Sequence, residues 1–403
     1  MVWKDYIVEQ FDFVNRLTTE EIDLYGPYYT LLHDLFPLEE RYLIAPQFKR
    51  NTGSMDYTIS YVVFKLKGKT PIFFVEIKTF VALELDTARA AADDEMRTFF
   101  LDFSDDRLPQ SKLIGISAMG TRFAVYEYTT NDHRLTPRRI IHHPPGPVTD
   151  TAPKGRWSDD IMEDSGEAKF RALVNEAREM ALAIGGVCEQ PQRSPFPLKP
   201  KPSNIVWKNY IVKQFDRIDR STTKECDLYG AYNTLLQDLF PAAEYYQVAP
   251  QFSRNTRSDH PVVSYVVLKW KTPIFFVEIK TFVALELRSA RAAADDQMRA
   301  IFLDFSDDRL PQSKLIGINA MGTHFAVYEY TTNNHRLDPP RIIHHPDIVT
   351  YDTAPKGRWS DDIMEDSGQA KFKALVNGVK EMALAISEVC EFFFLRYSRP
   401  FTD

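Results

Sequence analysis

Three cysteines in 403 residues cannot frame a disulfide-stapled fold. Two of them, Cys188 and Cys390, are the same position of a repeat, and Cys226 falls opposite Ile22. Long apolar runs are missing as well: none approaches the roughly 18 residues that a membrane span requires. The N-terminal MVWKDYIVEQFDF has no apolar signal core, so an intracellular, reducing compartment, cytoplasm or nucleus, is the expectation. There is no basic excess: 49 Lys and Arg stand against 56 Asp and Glu, a net charge of −7. That balance excludes a generally basic nucleic-acid coat and leaves only local patches for phosphate contact. Glycine-rich phosphate loops, Cys-x-x-Cys pairs and the GxSxG elbow are also absent, and with them the chemistries those motifs carry.

What is present is a duplication. KTPIFFVEIKTFVALEL occurs unchanged at Lys69 to Leu85 and at Lys271 to Leu287. FLDFSDDRLPQSKLIGI recurs from Phe100 and Phe302, and DTAPKGRWSDDIMEDSG from Asp150 and Asp352. Trp3 falls on Trp207, an offset of 204, and Glu76 on Glu278, an offset of 202, so the second copy has lost two residues between them. The loss lies in a turn, where Lys65-Leu66-Lys67-Gly68-Lys69-Thr70 becomes Lys269-Trp270-Lys271-Thr272. A period near 200 is far above the roughly 20 to 50 of solenoids and leaves each copy long enough to bury its own core. The chain therefore reads as two domains, residues 1–187 and 203–390, joined by a proline-rich tether at 188–202. The tail 391–403, with Phe392-Phe393-Phe394-Leu395, has no counterpart in the first copy.

In the first copy, Trp3, Tyr6, Ile7, Phe11 and Val14 recur at helical spacing, and a second helix runs about Tyr25 to Phe36, stopped by Pro37. The period then changes to two. Strands are expected at Tyr42 to Phe48, Tyr57 to Lys65 and Pro71 to Phe80, the last two joined by a turn containing Gly68. Thr87 to Phe103 reads as a helix, Lys112 to Ser117 and Phe123 to Thr130 as strands, and Ser158 to Ile184 as a closing helix. The expected class is α/β, or α+β mixed, with a central mixed sheet flanked by helices in each domain.

On the third strand Glu76 and Lys78 are two residues apart, so they leave the same face about 6.6 Å apart, while Phe73, Val75 and Ile77 take the other. An acid and a lysine in so apolar a strand are costly to bury without partners. Asp56, the only acid of the preceding strand, would be brought beside Glu76 by the hairpin. Two such carboxylates are hard oxygen ligands that suit Mg²⁺ or Mn²⁺, and a neighbouring lysine could orient or deprotonate a water, or offset charge on a phosphorane-like transition state.

An Asp, a hairpin of about twenty residues and Glu-x-Lys at the end of an apolar strand, with a helix before and after, resembles the PD-(D/E)xK (restriction-endonuclease-like) nuclease superfamily, whose core order is αβββαβ. The resemblance covers about Tyr25 to Thr130. It implies Asp56 and Glu76 as ligands of Mg²⁺ or Mn²⁺, Lys78 as the catalytic lysine, and Glu21 or Asp23 as an assisting acid. Glu95 and Arg97, replaced in the second copy by Gln297 and Arg299, stand on the following helix, where such proteins often carry a glutamine or a charge. The implied activity is metal-dependent hydrolysis of phosphodiester bonds in DNA or RNA, with nucleic acid as partner and the two domains pairing within one chain. The other reading is a catalytically degenerate nuclease-fold module that binds nucleic acid or protein. The rest of each copy is similar to a group of mostly uncharacterised proteins of mushroom-forming fungi.

The second copy keeps Glu278 and Lys280 but departs upstream, since Asp56 falls on His260 and the nearest acid, Asp259, lies one residue early. On a strand that step reverses the face, so the first copy is expected to hold the more competent site. The pairs His142-His143 and His344-His345 point opposite ways on a strand and suit one ion poorly. Asp105-Asp106-Arg107 reads as a loop and Asp159-Asp160 as a helix start. Arg89, Arg97, Arg288, Arg291 and Arg299 are candidates for touching phosphates.

Overall fold

The switch from helical to alternating periodicity at Tyr42 builds one mixed sheet in each copy. A computed structural model describes residues 3–49, 58–65, 70–104, 108–141, 150–185, 207–252, 262–306, 310–342 and 352–397. The chain divides into two compact units, Met1–Lys201 and Pro202–Asp403. In the first, helices α1 (Asp5–Asp12) and α2 (Ile22–Leu35) precede strands β1 (Tyr42–Lys49), β2 (Thr58–Lys65) and β3 (Thr70–Lys78). Helix α3 (Asp86–Ser104) leads to β4 (Lys112–Met119) and β5 (Arg122–Thr129), followed by short β6 (Arg134–Thr136), β7 (Asp159–Asp160) and the closing helix α4 (Asp164–Gly185). The sheet runs β1-β2-β3-β4-β5-β6, with β7 also on β5. Only β3 and β4 are parallel, and α3 is the crossover that a parallel pair requires.

The second unit repeats this order with α5 (Asn209–Asp216), α6 (Cys226–Leu239), β8 (Tyr246–Phe252), β9 (Val263–Lys269) and β10 (Thr272–Lys280). A short α7 (Phe282–Glu286) and α8 (Arg288–Ser306) follow, then β11 (Lys314–Met321), β12 (His324–Thr331), β13 (Arg336–Asp338), β14 (Asp361–Asp362) and α9 (Asp366–Tyr397). Each unit is thus a seven-stranded mixed sheet flanked by helices, the expected α/β architecture.

Strand parity divides the core into two layers. Phe73, Val75 and Ile77 of β3 pack with Ile7 of α1, Leu31 of α2 and Phe170 of α4. Phe74 points the other way, into Met96, Phe100 and Phe103 of α3 and the buried Trp157. Gly115 on β4 makes room for that ring, since a Cβ there would lie 2.5 Å from Phe74 Cζ. The segment ahead of α1 is tied to the one ahead of α4 by the Trp3 indole N–H, which donates to the Ile161 carbonyl at 2.6 Å.

The closing helix begins at Asp164, six residues later than expected. Asp159-Asp160 opens no helix: it pairs with Arg122-Phe123 of β5, and Asp160 accepts from the Thr121 hydroxyl and the Met162 N–H, both at 3.0 Å. The α9 backbone runs on to Tyr397, past residue 390 where the repeat ends. The Gly68 turn, the tether 188–202, both histidine pairs and Asp105-Asp106-Arg107 lie outside the described residues. No helix among the described residues is long and apolar enough to cross a membrane.

Candidate active site

Glu76 sits near the end of β3, 4 % exposed, on the side that α3 covers. A carboxylate there needs donors, and Ser60 of β2 supplies two to its Oε2: the backbone N–H at 3.0 Å and the hydroxyl at 3.2 Å. The same hydroxyl accepts from the Ile77 N–H at 3.1 Å, which fixes its direction. Glu76 Oε1 faces Lys78 Nζ at 3.2 Å. Two more carboxylates meet that ammonium: Glu21 Oε1, just ahead of α2, at 3.2 Å, and Glu95 Oε2, in the middle of α3, at 3.0 Å. Glu95 Oε2 is shielded from solvent and accepts no hydrogen bond of ordinary geometry, so its contact with Lys78 is an ion pair only.

Three carboxylates against one ammonium leave the cluster rich in negative charge. Burial pushes the Glu76 carboxyl up to about 7; Lys78 and the Ser60 N–H pull against this, and Glu95 and Glu21 push with it. Burial likewise raises Glu21. Burial pushes the Lys78 ammonium down, but Glu76, Glu21 and Glu95 outweigh it and hold the group above its ordinary value. Lys78 is therefore a cation at neutral pH and no base in this arrangement. Tyr25 completes the surroundings: burial pushes its hydroxyl up to about 12, Glu21 and Glu76 push the same way, and hydrogen bonding with Gln47 and Ser60 opposes them. Gln47 interrupts the β1–β2 register between Pro46 and Phe48 and has a φ of 48°, in the left-handed region that a non-glycine residue seldom occupies.

The second unit rebuilds the site with one change. Ser264 donates to Glu278 Oε2 from its N–H at 2.9 Å and its hydroxyl at 3.1 Å, and Lys280 Nζ meets Glu278 Oε1 at 3.0 Å and Glu225 Oε1 at 3.1 Å. At the position of Glu95 stands Gln297, whose Nε2 donates to Glu278 Oε1 at 2.9 Å. One negative charge is replaced by one donor. Burial raises Glu278; Lys280 is lowered by burial but held above its ordinary value by Glu278 and Glu225.

Of the residues singled out from sequence, Glu76, Lys78, Glu21 and Glu95 are gathered in one unit, and Glu278 and Lys280 in the other, where Glu225 stands at the position of Glu21. Asp23 is not: it is exposed and accepts from the Thr18 hydroxyl at 2.5 Å, as Asp227 does from Thr222. Asp56 and Asp259 lie outside the described residues. Of the arginines named for phosphates, Arg288 is exposed at the start of α8, and the other four are engaged within the fold. Arg89, 5 % exposed, donates to the carbonyls of Ala152 at 2.9 Å and Leu83 at 2.8 Å and pairs with Asp150; Arg291 repeats this. Arg97 forks onto buried Asp93 at 2.8 and 3.0 Å, and Arg299 onto Asp295. Ser60, Tyr25 and Gln47 were missed; the one sequence signal was a serine in the apolar strand facing Glu-x-Lys.

Three glutamates offset by one lysine form a donor set of hard oxygens whose chemistry suits Mg²⁺ or Mn²⁺ in the first unit. The Lys78 ammonium stands at their focus, and among the described residues no group of three or more His, Cys, Asp or Glu, these three included, is disposed to hold a metal ion as it stands. Compared with models of known families, with curated proteins and with solved structures, the chain finds no match.

Proposed function

We propose that the first unit is a metal-dependent nuclease that hydrolyses phosphodiester bonds of DNA or RNA, in the manner of the PD-(D/E)xK superfamily it resembles. The observation that carries the reading is the convergence of Glu21, Glu76 and Glu95 on Lys78, with more negative charge than one lysine neutralises. The order α2, β1, β2, β3, α3, β4 supports it, being the αβββαβ order of that superfamily's core. Glu21, Glu76 and Glu95 would hold Mg²⁺ or Mn²⁺, with Asp56 added by resemblance. When bound, the cation supplies Lewis acidity toward phosphate oxygens. Lys78, kept protonated by its acids, offsets charge that builds on the phosphate in the transition state. Burial pushes the Glu76 carboxyl up to about 7 without a metal, so a cation would compete with a proton there near neutral pH, and Ser60 holds its far oxygen still.

For the second unit the binding-module reading is favoured, because Gln297 and Lys280 both already engage Glu278 Oε1. The test is cleavage of labelled single- and double-stranded DNA and RNA with Mn²⁺ by the intact protein, Lys78→Ala and Lys280→Ala. Lys78→Ala is expected to lower the rate by roughly 10²- to 10³-fold, while Lys280→Ala leaves it nearly unchanged. Folded wild-type protein that cuts none of these substrates would overturn the nuclease reading.

A further inference from the structure

Of five tryptophans, Trp3, Trp157, Trp207 and Trp359 are buried, and only Trp270 is partly exposed. It occupies a position that its own backbone disfavours. Strands β9 and β10 are joined by Trp270 and Lys271 alone, with Lys269 paired to Thr272 and φ values of 51° and 63° at the two turn residues. Such two-residue hairpins favour Asn-Gly, because both central residues lie in the left-handed region; a bulky indole is poorly suited to it. Tyr245, next to the turn in space, also has a positive φ, 61°.

These backbones present two stacked rings. The Tyr245 and Trp270 centroids are 5.1 Å apart with planes inclined by 19°, and Tyr245 is 40 % exposed. Lysines surround them. Lys269 Nζ lies 5.8 Å from each of these two centroids and 4.5 Å from that of Tyr246, Lys380 Nζ lies 5.2 Å from Tyr246, and Lys271 is exposed in the turn itself. Glu244 pairs with Lys380 at 2.8 Å, and its carbonyl accepts from Lys269.

The first unit shows which part is framework. Lys65 stands 4.1 Å over the Tyr42 ring with Arg178 at 6.0 Å, the equivalents of Lys269, Tyr246 and Lys380, so that cation–ring packing belongs to the fold. Arg41 occupies the position of Tyr245. The aromatic pair is thus particular to the second copy and coincides with the two-residue shortening of its hairpin.

We propose that the Tyr245–Trp270 stack and its lysines form a docking platform for single-stranded nucleic acid, with a base stacked on an exposed ring face and phosphates against Lys271 and Lys380. An aromatic face accepts any base, and nearby cations match the backbone; a neutral sugar would leave the lysines unmatched. The platform lies at the far end of β10 from Lys280, about 30 Å away at about 3.3 Å per residue, so it is distinct from the Glu278–Lys280 cluster. It rests on nucleic acid as the ligand class in the reading above, and not on cleavage.

Trp270 is its own reporter. The full chain in EDTA at low salt is titrated with oligothymidylate, with an abasic phosphodiester of equal length and with a neutral oligosaccharide, following tryptophan emission. Oligothymidylate is expected to quench it and the other two to leave it unchanged. Trp270→Asn combined with Lys271→Gly restores the favoured turn, so its thermal midpoint should equal or exceed that of the wild type, while oligothymidylate affinity, read by anisotropy of a labelled strand, falls roughly 5- to 150-fold, the range for one stacked base. Unchanged affinity in this variant, equal binding of the abasic strand, or quenching by the oligosaccharide would overturn the proposal. Failure here leaves the Mn²⁺-dependent reading of the first unit standing, and failure of cleavage leaves the platform standing.

Discussion

Replacing Glu76 with glutamine should remove a specific pH dependence from the stability of the first unit. The carboxyl, ordinarily at 4.5, is pushed up to about 7 in the folded protein, chiefly by burial. A group raised on folding contributes stability that is whole below its unfolded value and is lost as the pH rises through its folded value. At 1.36 kcal/mol per tenfold change in proton affinity, the loss between pH 4.5 and 7 is about 3 kcal/mol. Glutamine keeps the oxygen that accepts from the Ser60 N–H and hydroxyl and does not ionise. Wild-type stability should therefore fall by about 3 kcal/mol relative to Glu76→Gln between pH 4.5 and 8. Glu278, raised in the other unit, is common to both proteins and cancels in the difference, and Lys78, held above its ordinary value, stays charged throughout this range. Urea unfolding of the full chain, followed by circular dichroism across this range, measures the difference. A gap that stays constant, or that closes as the pH rises, refutes the reasoning.

Three more substitutions probe the packing that holds the site. Asp93, 3 % exposed, accepts from Tyr126 at 2.7 Å and is paired with Arg97 and Arg156; Arg156→Met should destabilise the first unit by about 3 kcal/mol, read as a lowered urea midpoint, by leaving a buried charge short of a partner. Asn233 is fully buried with neither amide atom hydrogen-bonded, where the first copy has Tyr29; Asn233→Leu should raise the stability of the second unit by about 1–3 kcal/mol, visible as a higher thermal midpoint. Gly115→Ala drives a methyl into Phe74 and should cost about 1–3 kcal/mol in the same thermal scan.

Strands β1, β2 and β3 were legible because β-branched and aromatic residues dominate them, though β3 ends at Lys78 and not at Phe80, and strand parity placed Glu76 and Lys78 on one face. The segment before α4 was not. Lys154–Trp157 and Asp159-Asp160 are polar and short, and β7 exists through its pairing with β5, which local spacing does not encode. β6, with Arg134 at its head, was missed for the same reason. At the site, Glu21 and Asp23 stood equal on paper; a hydroxyl from Thr18 takes Asp23, and the start of α2 turns Glu21 to Lys78. Glu95 was visible only as a charge on the following helix, because its reach to Lys78 depends on how Met96 and Phe103 seat α3 on Phe74. The left-handed φ of Gln47 has no counterpart in composition or spacing, so neither it nor its contact with Tyr25 could be read in advance.

Whether the acids around Lys78 hold a divalent cation is most directly tested by Mn²⁺ titration of the full chain, monitored by the electron paramagnetic resonance of free Mn²⁺, for wild type and Glu95→Gln. That substitution gives the first unit the glutamine of the second. One Mn²⁺ per wild-type chain, with affinity lowered more than about tenfold in Glu95→Gln, is the expected result, since affinity follows the number of charged ligands. Wild-type protein that binds no Mn²⁺, or binding unchanged by Glu95→Gln, would contradict it.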